Sequence, residues 1–230
     1  DWERDVTTPD GPLVGAKVHS IAVVVQDAQV KVSDTLTIGV AGSLAIAKVT
    51  PAVVSNTVPT ASGGDPAAAT VRYSALKMGD VQISADFKTA DADAFEASAK
   101  LELTRYETNT VNNGTGAEAT KYQRLDWSAI TPALDPGADL PTPTDLTIDF
   151  PSGLIKRYAG RVGPASANEA IIKAGTFELY GSAEFAVSDW ERDVTTPDGP
   201  LVGAKVHSIA VVVQDAQVKV SDTLTIGVAG

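Results

Sequence analysis

The sequence predicts an all-β protein, an elongated stack of long, mostly antiparallel strands (rod-like or ribbon-like) with little helix. Three observations carry that expectation. Apolar residues recur with period two along nearly every patterned stretch, as strands with one wet face require. Val30, Val32, Leu36, Ile38, Val40, Gly42, Leu44 and Ile46 keep one parity over seventeen residues, and only Asp34 interrupts them. Residues 189–230 repeat residues 1–42 without a single difference. A sandwich strand rarely continues as far as that single-parity run, so two immunoglobulin-like sandwiches per unit are the alternative architecture.

The repeat sets the domain plan. Residues 1–188 form one complete unit and residues 189–230 begin the next, a period far beyond that of ordinary solenoid repeats. The chain starts at Asp1, not Met, with no charged-then-apolar leader, and is expected to be a segment of a longer array.

Taken in order, residues 17–25 become apolar on both parities, which predicts a strand buried on both faces. From residue 30 to 46 the face opposite the apolar one is small and polar (Lys31, Ser33, Thr35, Thr37, Gly39, Ala41), predicting a long ribbon whose apolar side is buried. Residues 50–69, dense in Pro, Gly and Thr, read as a loop. Val81, Ile83, Ala85 and Phe87 alternate with Gln82, Ser84, Asp86 and Lys88 as a half-buried strand. Residues 89–99 have room for a helical turn or two, but alternation from Phe95 onward favours strand. Residues 109–144 are too long for a structureless loop, and Tyr122, Leu125, Trp127 and Ile130 predict a packed excursion. Phe177 to Val187 alternates again. Its likeness to residues 95–103 and 40–46 suggests a weaker internal repeat in which Gly42, Ala97 and Gly181 correspond. At the copy junction, SAEFAVSDWERDV runs on without a Gly/Ser linker, and the sharp turn falls at Pro197-Asp198-Gly199-Pro200.

Composition excludes several functions. With no Cys there is no disulfide, zinc-thiolate or iron–sulfur site and no thiol nucleophile. The chain carries 29 acidic and 18 basic residues; the copy holds six and three, which leaves a unit with 23 and 15, a net charge of −8. An acidic surface repels phosphate backbones and anionic lipid, and no apolar run is long enough for a membrane helix, so neither nucleic acid nor membrane insertion is expected.

His19, copied as His207, is the one imidazole a unit owns and its only near-neutral general base. It sits mid-strand, where a structural role is expected, and nucleophile elbows, phosphate loops, HExxH and dinucleotide fingerprints are all absent, so no catalytic residue is assigned. Asp91 and Asp93 form a DxD in a turn-like segment; Asp189, Glu191 and Asp193 (copies of Asp1, Glu3 and Asp5) alternate at the junction. Calcium needs six to eight oxygens from several loops, so these acids are weak metal candidates and a solvated face with no resident cofactor is the first expectation. Trp2, Trp190, Trp127, Tyr106 and Tyr158 lie beside charges, as in a sugar platform or in rings capping a core with one wet edge. Asn113-Gly114-Thr115 fits a glycosylation sequon.

The verbatim domain-sized repeat, the Cys-free acidic composition and strands such as SDTLTIGVAGSLAIAKV resemble giant tandem-repeat proteins of bacterial cell surfaces, of adhesin or filament type. The resemblance is one of architecture over the whole chain and transfers no functional residue. It implies an extracellular or cell-surface location and a non-catalytic role as a spacer in a stalk or filament. The partners would be neighbouring identical repeats. A repeated ligand-binding module, for carbohydrate or for calcium-dependent adhesion to surface glycans, is the alternative. Because strands with one apolar face need a sheet to join, the second copy is expected to dock on the first as a continuous β-structure.

Overall fold

A computed structural model describes residues 2–8, 11–51, 72–89, 95–112, 123–164, 169–221 and 224–228. The protein is all-β, and its ten strands make one antiparallel sheet instead of two sandwiches. The strands are β1 (Trp2–Thr8), β2 (Gly11–Lys31), β3 (Leu36–Thr50), β4 (Arg72–Lys88), β5 (Glu96–Asn112), β6 (Leu154–Val162), β7 (Ile172–Ala174), β8 (Phe177–Thr196), β9 (Gly199–Ser221) and β10 (Leu224–Val228). They lie side by side in chain order, except that short β7 continues the position of β6, pairing with β5 and β8 beyond the end of β6. Among the described residues the only helical pieces are two 3-10 turns, Trp127–Ala129 and Pro136–Asp139.

Strands of 21 and 23 residues, as β2 and β9 are, far exceed the usual five or six. Bulges interrupt them, bending the strand and increasing its local twist. β4 bulges at Asp80 and Val81 opposite Gly42 of β3, and between Val25 and Ala28 two residues of β2 stand opposite Ala41 alone. Asp27 there and Asp80 of β4 have φ of 46° and 52°, while Gly42 has φ 148°. A Cβ on Gly42 would come within 2.8 Å of the Val81 Cα, so only glycine fits.

Residues directly opposite each other share a face. Cross-strand partners of Val23 run Leu44, Met78, Tyr106, Tyr158, Val187, Ile209, an apolar row across seven strands. On the other face the adjacent row runs Ala22, Ala45, Lys77, Glu107, Arg157, Ser188, Ser208. The core occupies this second face, at one end of the sheet. There the excursion 123–153 lays Trp127, Ile148 and Phe150 over Val6, Leu13, Val18, Ala47 and Val49. Leu125, Trp127 and Ile130 are buried as the sequence predicts; Tyr122 lies outside the described residues.

Two expectations about burial are corrected. The buried residues of β3 are Ala45, Ala47 and Val49, which belong to the parity opposite Leu36 through Ile46. Small side chains on that face leave room for the bulky rings of the excursion, while the apolar parity lies on the uncovered face, with Val40 40% exposed. Residues 17–25 are likewise buried on one side only. Ala22 and Val24 pack against the core, whereas Ile21 and Val23 are each 43% exposed. The accessible surface, 13400 Å², exceeds the ~9,800 Å² expected of a compact monomer of this mass, as an open single-layer sheet should.

Buried polar groups fasten the excursion down. Asn109 of β5 accepts from Trp127 Nε1 at 3.0 Å and donates to the carbonyl oxygens of Leu125 (3.0 Å) and Pro151 (3.3 Å). Lys77 of β4 donates to the Thr147 carbonyl at 2.6 Å and pairs with Asp149 at 3.1 Å. Asp135 caps the second 3-10 turn by accepting from the amides of Gly137 and Leu146, both at 3.0 Å. Trp127→Phe keeps a ring in place but leaves the Asn109 oxygen without its donor, and should cost about 1–3 kcal/mol. Trp127→Ala also opens a cavity and should cost about 3–5 kcal/mol. Urea unfolding midpoints of the two variants check that order.

Candidate functional site: the junction between copies

The second copy adopts the conformation of the first. Trp2 pairs with Val18, Arg4 with Ala16 and Val6 with Leu13; the same bulge and register recur as Trp190 with Val206, Arg192 with Ala204 and Val194 with Leu201. Val30–Ile38 and Gln29–Gly39 recur as Val218–Ile226 and Gln217–Gly227. The copy adds its strands to the same sheet, because β8 carries the last residues of one unit and the first of the next without a break. The hairpin closes on Pro197-Asp198, with Thr196 opposite Gly199. Six strand positions separate equivalent strands, an advance of about 29 Å per unit at the usual strand spacing. The row that begins at Val23 arrives at Ile209, the copy of Ile21, so the register slips by two residues per unit.

Side chains fasten the join. Trp190 lies opposite Leu154 and packs on the core of the first unit. The Glu191 amide donates to the Gly153 carbonyl at 2.8 Å, and its carboxylate pairs with Arg124 at 2.8 Å. Asp189 pairs with Lys156 at 3.2 Å and bonds His207. That His207 bond, then Lys156, holds the Asp189 carboxyl below the usual carboxylate range. Asp193 accepts from the Gly203 amide at 2.9 Å.

The junction acids therefore meet bases and backbone amides. Glu191 and Asp189 engage Arg124 and Lys156. Asp91, Asp93 and Asp1, together with the side chains of Glu3 and Asp5, lie outside the described residues, as does the sequon. Among the described residues no group of three or more His, Asp or Glu is placed to hold a metal ion. His19 stands on β2 opposite Lys48, on the uncovered face. Its copy touches Asp189, but Ser188 and Ser208, bonded to each other at 2.8 Å, project to the opposite face from that pair. Trp127 is a core residue and not a platform. Tyr106 and Tyr158 stack at 6.2 Å, and Tyr158 meets Phe185 edge-on at 6.3 Å, forming half-buried rings of the apolar row. The side chain of Trp2 lies outside the described residues.

The sequence reading missed one binding feature. Lys88, Glu96, Lys173, Glu178 and Lys219 stand opposite one another on five successive strand positions, alternating in sign. Opposite charges directly across a ladder favour that pairing and disfavour slipped ones. The Lys219–Glu178 pair, at 3.3 Å, joins the first unit to the copy. No one-dimensional pattern marks it, because the five residues come from five separate strands. Glu178 is also held below its usual range, first by the Tyr180 hydroxyl and then by Lys219.

These two carboxylates lie on β8 and bond partners in or beside the copy. Groups whose folded values are depressed contribute stability that is complete above their ordinary values, 3.8 for Asp189 and 4.5 for Glu178, and lost as pH falls through the folded ones. Hydrogen exchange at pH 7 and at pH 3 should therefore show the β8–β9 amides losing protection in acid before those of the β3–β4 pair. Removing residues 189–230 takes away Trp190 and the Glu191–Arg124 pair, so the shortened chain should melt lower or self-associate. Equal melting of both chains, each monomeric, would show that the copies are independent.

Comparison with protein-family models, with characterised proteins and with solved structures returned no match.

Proposed function

We propose that the chain is a non-catalytic structural repeat of a long extracellular surface protein, stalk or filament, in which it acts as a spacer. One observation carries this reading: a single hydrogen-bonded sheet crosses the boundary between identical copies, and the hairpin that opens each copy keeps the same internal register. Units joined in that way set length by copy number and resist bending at the joints, which flexible linkers would not. The extracellular placement rests on the resemblance to tandem-repeat surface proteins. Calcium-dependent adhesion is less favoured, since Asp189, Glu191 and Asp193 are each engaged by a base or an amide.

Small-angle scattering on chains of four, six and eight units, arrays wider than the ~70 Å length of a 21-residue strand, should show the longest dimension rising by an increment that approaches about 29 Å per added unit. Growth with the square root of copy number would instead describe beads on flexible linkers and remove the spacer reading. Isothermal titration with Ca²⁺ should give no saturable heat; a saturable isotherm would favour the binding module.

A further inference from the structure

We propose that the free edge of β2, residues 20–31, is a strand-acceptor site, and that its ligand is the segment 178–188 of another copy of this sequence. The inference deepens the reading of a continuous array. It rests on a comparison inside the molecule, because the same residues occur twice, once open and once filled.

β1 covers β2 only as far as the Trp2–Val18 pair. Beyond it β2 continues to Lys31 with β3 on one side, and among the described residues no strand pairs on the other. An antiparallel ladder needs both sides, so alternate amides and carbonyls along this stretch point outward with no strand partner among the described residues. In the second copy the identical stretch is residues 208–219 of β9. There the corresponding edge is fully paired, by residues 178–188 of β8. The open edge is an acceptor whose occupied state is already on view.

Transferring the register by 188 residues defines the complex. Glu178 falls opposite Lys31, Leu179 opposite Val30, Phe185 opposite Val23, Val187 opposite Ile21 and Ser188 opposite Ser20. Each pair is chemically matched. The Glu178–Lys219 ion pair would re-form on Lys31, which now pairs with exposed Asp34 at 2.9 Å. Phe185 and Val187 would lie on Val23 and Ile21, and Ser188 would meet Ser20 as it meets Ser208.

A further feature restricts which strand fits and in which register. β2 bulges at Asp27, whose φ is 46°. In the filled copy the equivalent bulge lies opposite Gly181, whose φ is 146° and whose added Cβ would stand 3.3 Å from the Ala216 Cα. A strand lacking glycine at that point, or displaced by one residue, would meet the bulge with a side chain and place Phe185 and Val187 on the charged face. Within this chain, residues 178–188 are already held between β6, β7 and β9, so the ligand comes from another copy. In an array that copy is the preceding unit.

The test is a labelled synthetic peptide of residues 177–189 titrated into the 230-residue chain and followed by fluorescence anisotropy. Saturable one-to-one binding is expected, weakened at least tenfold by Gly181→Val or Ala186→Pro in the peptide. A second chain, with residues 177–188 placed directly before Asp1, fills the site covalently. It should melt higher than the parent chain and no longer bind the peptide. A peptide that binds no better than its scrambled version, or that binds the extended chain equally well, overturns the proposal. Peptide binding without growth in length per unit would sink the spacer reading and leave the acceptor site standing. Growth in length without peptide binding would do the reverse.

Discussion

Antiparallel pairing imposes a parity that two identical copies must satisfy before they can share a sheet. Successive strands alternate in direction, so a copy can continue the sheet only after an even number of strand positions. Successive side chains alternate in face, so the register slip summed over those positions must be even as well. Here the count is six and the slip is two residues. The short strand β7 shows how closely the condition is met. It lies in line with β6, between the same two neighbours, so the pair fills one position. Were β7 a separate position, the count would be seven and the copy would enter upside down.

Within that frame the two halves of the sheet do different work. At the β1 end of β2 the excursion 123–153 provides a second layer, and the fully buried residues concentrate there. At the other end the described residues form a single layer. One of its faces carries apolar rows and the other carries ion pairs such as Lys88–Glu96, Glu102–Arg161 and Lys100–Glu169. Exposed pairs of this kind contribute little net stability. Their effect is on register, since a slip of one residue moves every charge onto the apolar face. The layered half holds the sheet together, and the single-layer half extends it.

The strand content, the long single-parity run, the packed excursion and the unbroken junction were legible in the sequence because each is a local pattern. The choice of buried face was not. Alternation shows that β3 has an apolar side but not what lies over it, and here the layer formed by Trp127 and Phe150 covers the alanine side. Asn109 falls at the start of the stretch 109–144 that the sequence assigns to the excursion, and Glu107 belongs to no pattern in the sequence, yet both are buried residues of β5. Only the fold brings Trp127 and Arg157 to them. The internal correspondence is clear at two positions. Gly42 and Gly181 share φ near 147° beside bulges, whereas Ala97 sits in regular pairing with Phe87 and Ile172. Of the candidate ligands, Asp189 and Glu191 proved to be junction residues because the bases that meet them, Lys156 and Arg124, are distant in sequence.

An array built on this join has an unusual dependence on its ends. Each internal boundary supplies the same contacts: Trp190 on the core, the Arg124–Glu191 pair, and residues 178–188 along the edge of the next β2. A terminal unit lacks one set of these and exposes an edge instead. That cost is paid twice per array whatever its length, while the favourable boundary term is gained once per added unit. Stability per unit then rises with copy number toward a limit set by one unit plus one boundary. The two copies of one sequence differ accordingly in how well they are covered: Ile21 and Val23 are 43% exposed with β3 paired beside them, while Ile209 and Val211, which lie outside the 216–221 stretch that β10 pairs, are 64% and 63% exposed.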